Sequence, residues 1–237
     1  MKIISVNQNI ENAKQKYSKR NFKSNSKSFW KSDYTTGQKL IVAGTTALGV
    51  ATSLAVLAKF QGYSMKPKQV FDYYKKTNFL FKEVAAIGVG TVAGGLAGGY
   101  LIDKNPRNRK AKRREAVMQL GNIIIPIGTV AATKNLCDKA NMKGTAGNII
   151  RTGASLAAIA GGIYLANFTM NKLSNFVFKN KTEERDIKAT DMFPHIDDAL
   201  ASAQYLAPKS TFVHKIARIV PFALMVAGNE VGNTKAN

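Results

Sequence analysis

Residues 84–102 read VAAIGVGTVAGGLAGGYLI, a run of 19 uncharged residues bounded by Glu83 and Asp103. A helix rises about 1.5 Å per residue, so such a run covers the roughly 30 Å hydrocarbon layer of a bilayer. The charges at its two edges mark where water resumes. Within it Ala86, Gly90, Gly94 and Gly98 recur at every fourth position, with Gly95 and Gly99 on the adjacent row. In water each glycine weakens a helix by about 0.5–1 kcal/mol relative to alanine, so this density needs close backbone packing to compensate. The pattern predicts a glycine-zipper face on a membrane-spanning helix.

Three further uncharged runs, 40–58, 116–133 and 152–171, have 19, 18 and 20 residues and are fenced in the same way by ionic side chains. The first carries Ala43, Ala47, Ala51 and Ala55 four apart, and the last carries Ala154, Ala158, Gly162 and Ala166. Both are expected to be smooth packing faces. The run 116–133 contains Asn122 and Pro126, which predict a polar contact inside the bundle and a kink. The fold class expected is all-α: a polytopic helical membrane protein of about four transmembrane helices, with amphipathic flanking helices. The bulk composition, 45% hydrophobic, would also suit a basic soluble protein with Ala/Gly-rich buried helices. Segregation into apolar and charged blocks, without the interleaving of an amphipathic soluble helix, favours the membrane.

The flanks divide the chain into three parts. Residues 1–37 are expected as a basic polar arm, 38–172 as the transmembrane bundle, and 173–237 as a region of mixed charge. The connection 59–78 is rich in lysine and aromatic residues and reads as an interfacial segment, with Pro67 opening a short helix. In the last part, 194–206 reads as an amphipathic helix. The apolar run 212–229 is expected to lie on the surface or re-enter the bilayer, kinked at Pro221, with a fifth crossing as the alternative, because Lys215 and Arg218 would otherwise enter its first turns.

The chain carries 35 Lys and Arg against 14 Asp and Glu, a formal charge of +21. With the amino terminus in the cytoplasm, segments 1–37, 103–115 and 172–211 hold 21 basic residues and the opposite loops 59–78 and 134–151 hold 9. The positive-inside bias therefore predicts a cytoplasmic amino terminus. Residues 1–37 hold no early apolar core, so the first span is expected to act as its own insertion signal. The Lys/Asn/Ile-heavy composition points to an AT-rich genome and a bacterial plasma membrane. The cluster Arg107, Arg109, Lys110, Lys112, Arg113 and Arg114 is read as a topology anchor or a contact for anionic lipid headgroups. Nucleic-acid binding is the weaker reading, since no recognition helix or stacking platform accompanies the charge.

Candidates for chemistry are sparse. Gly88, Gly90 and Ala93 match G-x-G-x-x-A, but no second strand ending in an acid follows, so the packing reading prevails over a dinucleotide turn. His195, Asp197 and Asp198 stand close together, yet acids in a helix's first turn account for them without a metal. The single cysteine, Cys137, excludes an intramolecular disulfide framework. No catalytic, cofactor-binding or metal-binding residue is assigned and no small-molecule substrate is inferred. A structural, scaffolding or interaction role in the bilayer is expected, with a homo-oligomer conceivable. The alternative is an oligomeric passive pore or a membrane-active, toxin-like protein. The spans hold polar groups such as Gln119, Asn122 and Asn167 but no charge, which argues against ion coupling.

Overall fold

The computed structural model describes residues 33–178 and 210–236, with residues 195, 199, 200 and 203 between them. The expected arm 1–37 therefore lies outside the described residues up to position 32, as does most of the amphipathic helix expected at 194–206. The described chain is helical and contains no strand. Its helices are α1 (Thr36–Phe60), α2 (Pro67–Lys76), α3 (Phe81–Ile102), α4 (Pro106–Lys139), α5 (Gly144–Phe178), α6 (Thr211–Ile216) and α7 (Val220–Asn233), with a 3-10 turn, Ala217–Ile219, joining the last two.

Among the described residues five rods are long and apolar enough to cross a membrane: Thr36–Phe60, Phe81–Ile102, Pro106–Lys139, Ala146–Phe178 and Thr211–Asn233. The protein is thus a multi-pass helical membrane bundle. Its fifth rod departs from the surface-lying helix favoured by the sequence. Pro221 stands in the first turn of α7, where its missing N–H leaves no helical bond unmade, so it begins the helix and does not kink it. Arg218 lies against α2, donating to the Tyr74 carbonyl and stacking 5.3 Å from the Phe79 ring centroid, which gives its charge a place at the bundle end.

Several helices start for a local reason. Thr35 closes a capping box with Gln38 before α1. Asn105 caps α4 through the Arg107 N–H, with Pro106 in the first turn. Gly144, at φ +75°, makes the tight approach into α5 that a side chain would strain.

The rods assemble around α3, which packs against α1, α4 and α7. Helix α7 also touches α1 and α4, so these four form one core. Buried Phe79, Val84, Ile87, Ile123, Ile127, Val220 and Leu224 fill it. Helix α5 lies at the periphery, packed on α4. Gly162 sits over the Pro126 backbone, and Thr129 on α4 donates a 2.8 Å hydrogen bond to the Ala158 carbonyl on α5.

Directions follow from the contacts. Gly228 on α7 meets Thr91 and Gly95 on α3, and Gly232 meets Gly95, so α7 runs parallel to α3. On α5, Gly162 meets Pro126, Met170 meets Gly121 and Ser174 meets Arg114, so α5 runs antiparallel to α4 and parallel to α7. One end of the bundle, here the latch end, gathers the start of α1, the α3–α4 turn and the ends of α5 and α7. The other end, the aromatic end, carries α2 and the α4–α5 turn.

Candidate functional site

The glycine face of α3 comes first because it sets every distance nearby. A Cβ on Gly94 would collide with the Thr45 carbonyl oxygen of α1, and one on Gly90 with Ser53 and the Gly49 carbonyl. A Cβ on Gly98 would reach the Val42 Cα at 2.9 Å. On the adjacent row, Gly95 meets the Gly228 carbonyl, and Gly99 would meet the Gly232 carbonyl oxygen at 2.8 Å. Ser53 adds a 2.9 Å hydrogen bond to the Ala86 carbonyl, joining α1 to α3. The backbone of α3 therefore lies against the backbones of α1 and α7.

The residues singled out in the sequence divide by position. Gly90, Gly94 and Gly98 stand in the α1–α3 seam, and half-buried Ala86 joins it through its carbonyl. On α1 the seam is made by Val42, Thr45, Gly49 and Ser53, whereas Ala47 and Ala51 are exposed and Ala43 and Ala55 half-buried. On α5, Gly162 and Ala166 are buried against the bundle, with Ala154 and Ala158 half-buried. In the basic cluster Arg107, Lys110 and Arg113 are exposed, Arg109 and Arg114 are partly covered, and Lys112 is wholly buried.

Lys112 is the centre of a polar latch. Its Nζ donates to the Gly232 carbonyl at 2.6 Å, the Thr234 carbonyl at 2.7 Å and the Tyr34 hydroxyl at 3.0 Å. The Gly232 carbonyl belongs to the last turn of α7 and Thr234 is the residue that ends it, where unpaired acceptors and the negative dipole end suit a cation. Tyr34 in turn donates to Asp103, which also receives Asn108 Nδ2 at 2.7 Å and the Asn105 N–H at 2.9 Å. Asn108 Oδ1 accepts from the Ala236 N–H at 3.0 Å, and Lys235 lies 4.1 Å from the Tyr34 ring centroid. Arg109 donates to the Tyr100 and Asp103 carbonyls at 3.1 Å each, capping α3. One set of side chains thereby ties the entry to α1, the α3–α4 turn and the end of α7.

The electrostatics match this geometry. Burial raises the Asp103 carboxyl, but the hydrogen bonds from Tyr34, Asn105 and Asn108, with the Lys112 charge, outweigh it and hold its pKa below the usual value. The Tyr34 phenol is pushed well above its ordinary value by burial first, then by the bond to Asp103 and by its charge. Both shifts favour the observed pairing, a neutral phenol donating to a carboxylate.

A second polar group lies one to two turns deeper. Gln119 Nε2 donates to Glu115 Oε1 at 2.8 Å and to Glu230 Oε2 at 2.7 Å, linking α4 to α7. The Gln119 Oε1 is buried and has no hydrogen-bond partner among the described residues. Neither carboxylate stands in an uncharged sequence window: Glu115 fences the third, and Glu230 follows the last apolar run. The overlooked signal was spacing. Asn108, Lys112, Glu115 and Gln119 recur at intervals of four, three and four and so share one face of α4, which becomes legible once that helix is extended back to Pro106.

The aromatic end holds a smaller tie. The Tyr74 hydroxyl donates to the Arg218 carbonyl at 2.8 Å while Arg218 donates to the Tyr74 carbonyl, and burial raises the Tyr74 phenol despite the nearby guanidinium. His195 is buried, and Asp197 and Asp198 lie outside the described residues. No group of three or more His, Cys, Asp or Glu placed to hold a metal occurs among the described residues.

No family model, curated protein or solved structure matches the chain.

Proposed function

We propose that this protein is a non-catalytic integral membrane protein with a structural, scaffolding or interaction role, held together by a glycine zipper and presenting apolar flanks to lipid and to other membrane helices. The observation that carries the reading is the contact of the α1, α3 and α7 backbones, with both polar groups used to tie helices to one another. We further propose a bacterial plasma membrane with the amino terminus in the cytoplasm. The segments 1–37 and 103–115, which lead to the latch end, carry 15 basic residues, and 59–78, 134–151 and 210–218, at the aromatic end, carry 11.

The test is flux. Full-length protein in liposomes is expected to leave ion and small-solute permeability at the level of empty liposomes. Release in proportion to protein, lost with Gly94→Leu while insertion persists, would replace this reading by the passive pore.

One observation favours an oligomeric form. On α5, Gly153, Ala157 and Gly161 are exposed four apart, and nothing lies within 4 Å of a Cβ built on either glycine. Small residues on an open helix face allow close approach of another helix. Cross-linking in liposomes is expected to trap dimers or higher forms, and Gly161→Leu to reduce them; monomer alone at all protein-to-lipid ratios would remove the oligomer.

A further inference from the structure

Helix α2 leaves one aromatic ring outside among cations. Its Tyr73 is buried and Val70 and Tyr74 are half-buried, whereas Lys68, Phe71, Lys75 and Lys76 are exposed. Lys68 precedes Phe71 by three residues and Lys75 follows it by four, so both share its side of the helix. The Lys75 Nζ stands 4.2 Å from the Phe71 ring centroid. Among the described residues the ammonium of neither Lys68 nor Lys75 is engaged in a hydrogen bond or an ion pair. The segment 59–78 holds five lysines against one acid, Asp72, which is half-buried.

The level of the ring is fixed by what it touches. Phe71 stacks on Tyr74 with centroids 6.0 Å apart, and Tyr74 lies 6.0 Å from Phe79 in the core. Tyr74 exchanges hydrogen bonds with Arg218, the residue directly before the uncharged run 219–229. Lys59 directly follows the uncharged run 40–58, and Glu83 directly precedes 84–102. The first, second and fifth rods therefore pass from apolar to ionic at the end where α2 is tied. Phe71 is thereby held one ring away from the edge of the hydrocarbon, a level that aromatic side chains favour.

We propose that Phe71 inserts at the acyl boundary of the leaflet at the aromatic end, and that Lys68 and Lys75 hold the phosphate of an anionic phospholipid above it. The proposal rests on the membrane reading above and deepens it. Insertion removes the ring from water, while the ammonium groups reach the headgroups on long apolar stems. The ring contact orients Lys75 and leaves it donors for phosphate oxygens. An acidic protein segment would match the lysines alone, whereas a lipid matches the lysines with its phosphate and the ring with its acyl chains.

Insertion is tested with full-length protein carrying Trp30→Phe and Phe71→Trp, in which the new indole is the only one. In liposomes of phosphatidylcholine with a minor fraction of phosphatidylglycerol, its fluorescence is expected to be quenched by bromines near the glycerol end of the acyl chains and shielded from aqueous iodide. Free access of iodide without quenching by bromine would place position 71 in water and overturn the proposal. Headgroup recognition is read by native mass spectrometry of the lipid retained on extraction into mild detergent. Wild type is expected to be enriched in phosphatidylglycerol. Lys68→Gln with Lys75→Gln is expected to lose about tenfold or more in relative affinity, since each cation near an anionic surface contributes roughly fivefold. The control pair Lys139→Gln with Lys143→Gln, exposed at the same end with no aromatic residue between them, is expected to lose far less. Equal losses would reduce the effect to bulk charge and overturn the site.

Displacement of the lipid by inorganic phosphate at constant ionic strength would reassign the lysines to a free anion. Capture of a polyglutamate peptide by wild type but not by the Lys68 and Lys75 variant, in liposomes of phosphatidylcholine alone, would reassign them to an acidic protein segment. Should that variant misfold, wild type decides alone: enrichment must weaken as salt screens the cations, and salt-independent or absent enrichment overturns the proposal. Alkaline carbonate extraction separates this failure from that of the membrane reading. Protein that stays in the membrane with position 71 open to iodide sinks the lipid site only, whereas protein released in folded form sinks the membrane assignment.

Discussion

At the scale of single residues, glycines with the same intrinsic helix penalty have opposite expected responses to a methyl group. At Gly94 and Gly95 a Cβ runs into carbonyl oxygens of α1 and α7, so Gly94→Ala and Gly95→Ala are expected to destabilise by about 1–3 kcal/mol, as overpacked cores do. At Gly44 and Gly153 a Cβ meets nothing within 4 Å, and alanine there is expected to be neutral or to stabilise by up to about 1 kcal/mol. Unfolding of the detergent-solubilised protein by sodium dodecyl sulfate checks the contrast; a common sign at all four sites would contradict the packing. The spacing of Gly90, Gly94 and Gly98 was legible in the sequence. Which of the exposed and enclosed glycines elsewhere matter was not, because that depends on what lies across the seam.

The helices themselves show where sequence spacing misleads. On α1 two rows of small residues recur every fourth position, Ala43, Ala47, Ala51 and Ala55 in one, Thr45, Gly49 and Ser53 in the other. The second row meets α3, and nothing in the composition of α1 alone separates them. Ala51→Leu is therefore expected to be tolerated and Gly49→Leu to weaken the fold, read in the same unfolding assay. The basic cluster depends on phase in the same way: residues 106–114 continue α4, and a buried lysine differs from its neighbours only through its phase on that helix. Lys112→Ala would strip a donor from the Gly232 and Thr234 carbonyls and from Tyr34, at a cost of about 1–3 kcal/mol, since it leaves buried acceptors unsatisfied. Retained stability with a fully protected α7 in hydrogen exchange would refute the latch.

The same element junction predicts a pH response. The Asp103 pKa is lowered in the folded protein, so its contribution is fully present above the unfolded carboxylate value of about 4 and is lost as pH falls through the lower folded value. The melting temperature of wild type is expected to fall in this acidic window more steeply than that of Asp103→Asn, which has no charge to lose. Parallel profiles for the two proteins would show that Asp103 does not act through its charge.

For the whole molecule, apolar blocks revealed the class of fold because lipid-facing rods need no amphipathic phase. The packing order was hidden, since uncharged windows of similar length do not say which rod is central. Only the contacts place α3 in the middle and α5 outside. They also correct the last apolar run, whose Gly228 and Gly232 are complementary to Gly95 and Gly99 across a seam that spacing within one segment cannot display.

The shared direction of α5 and α7 has a consequence for sidedness. A simple serpentine of five rods would release its tail opposite its head. Here Asp33 and Ala236 stand at the same end, joined through the latch, while Phe178 and Ser210 sit at opposite ends. Reporter tags before Met1 and after Asn237 should answer alike to an impermeant reagent, both hidden or both reached in sealed cells. A probe in the α4–α5 turn, near Asn141, should give the reverse answer. Tags that disagree with each other would break the parity on which this arrangement of rods depends.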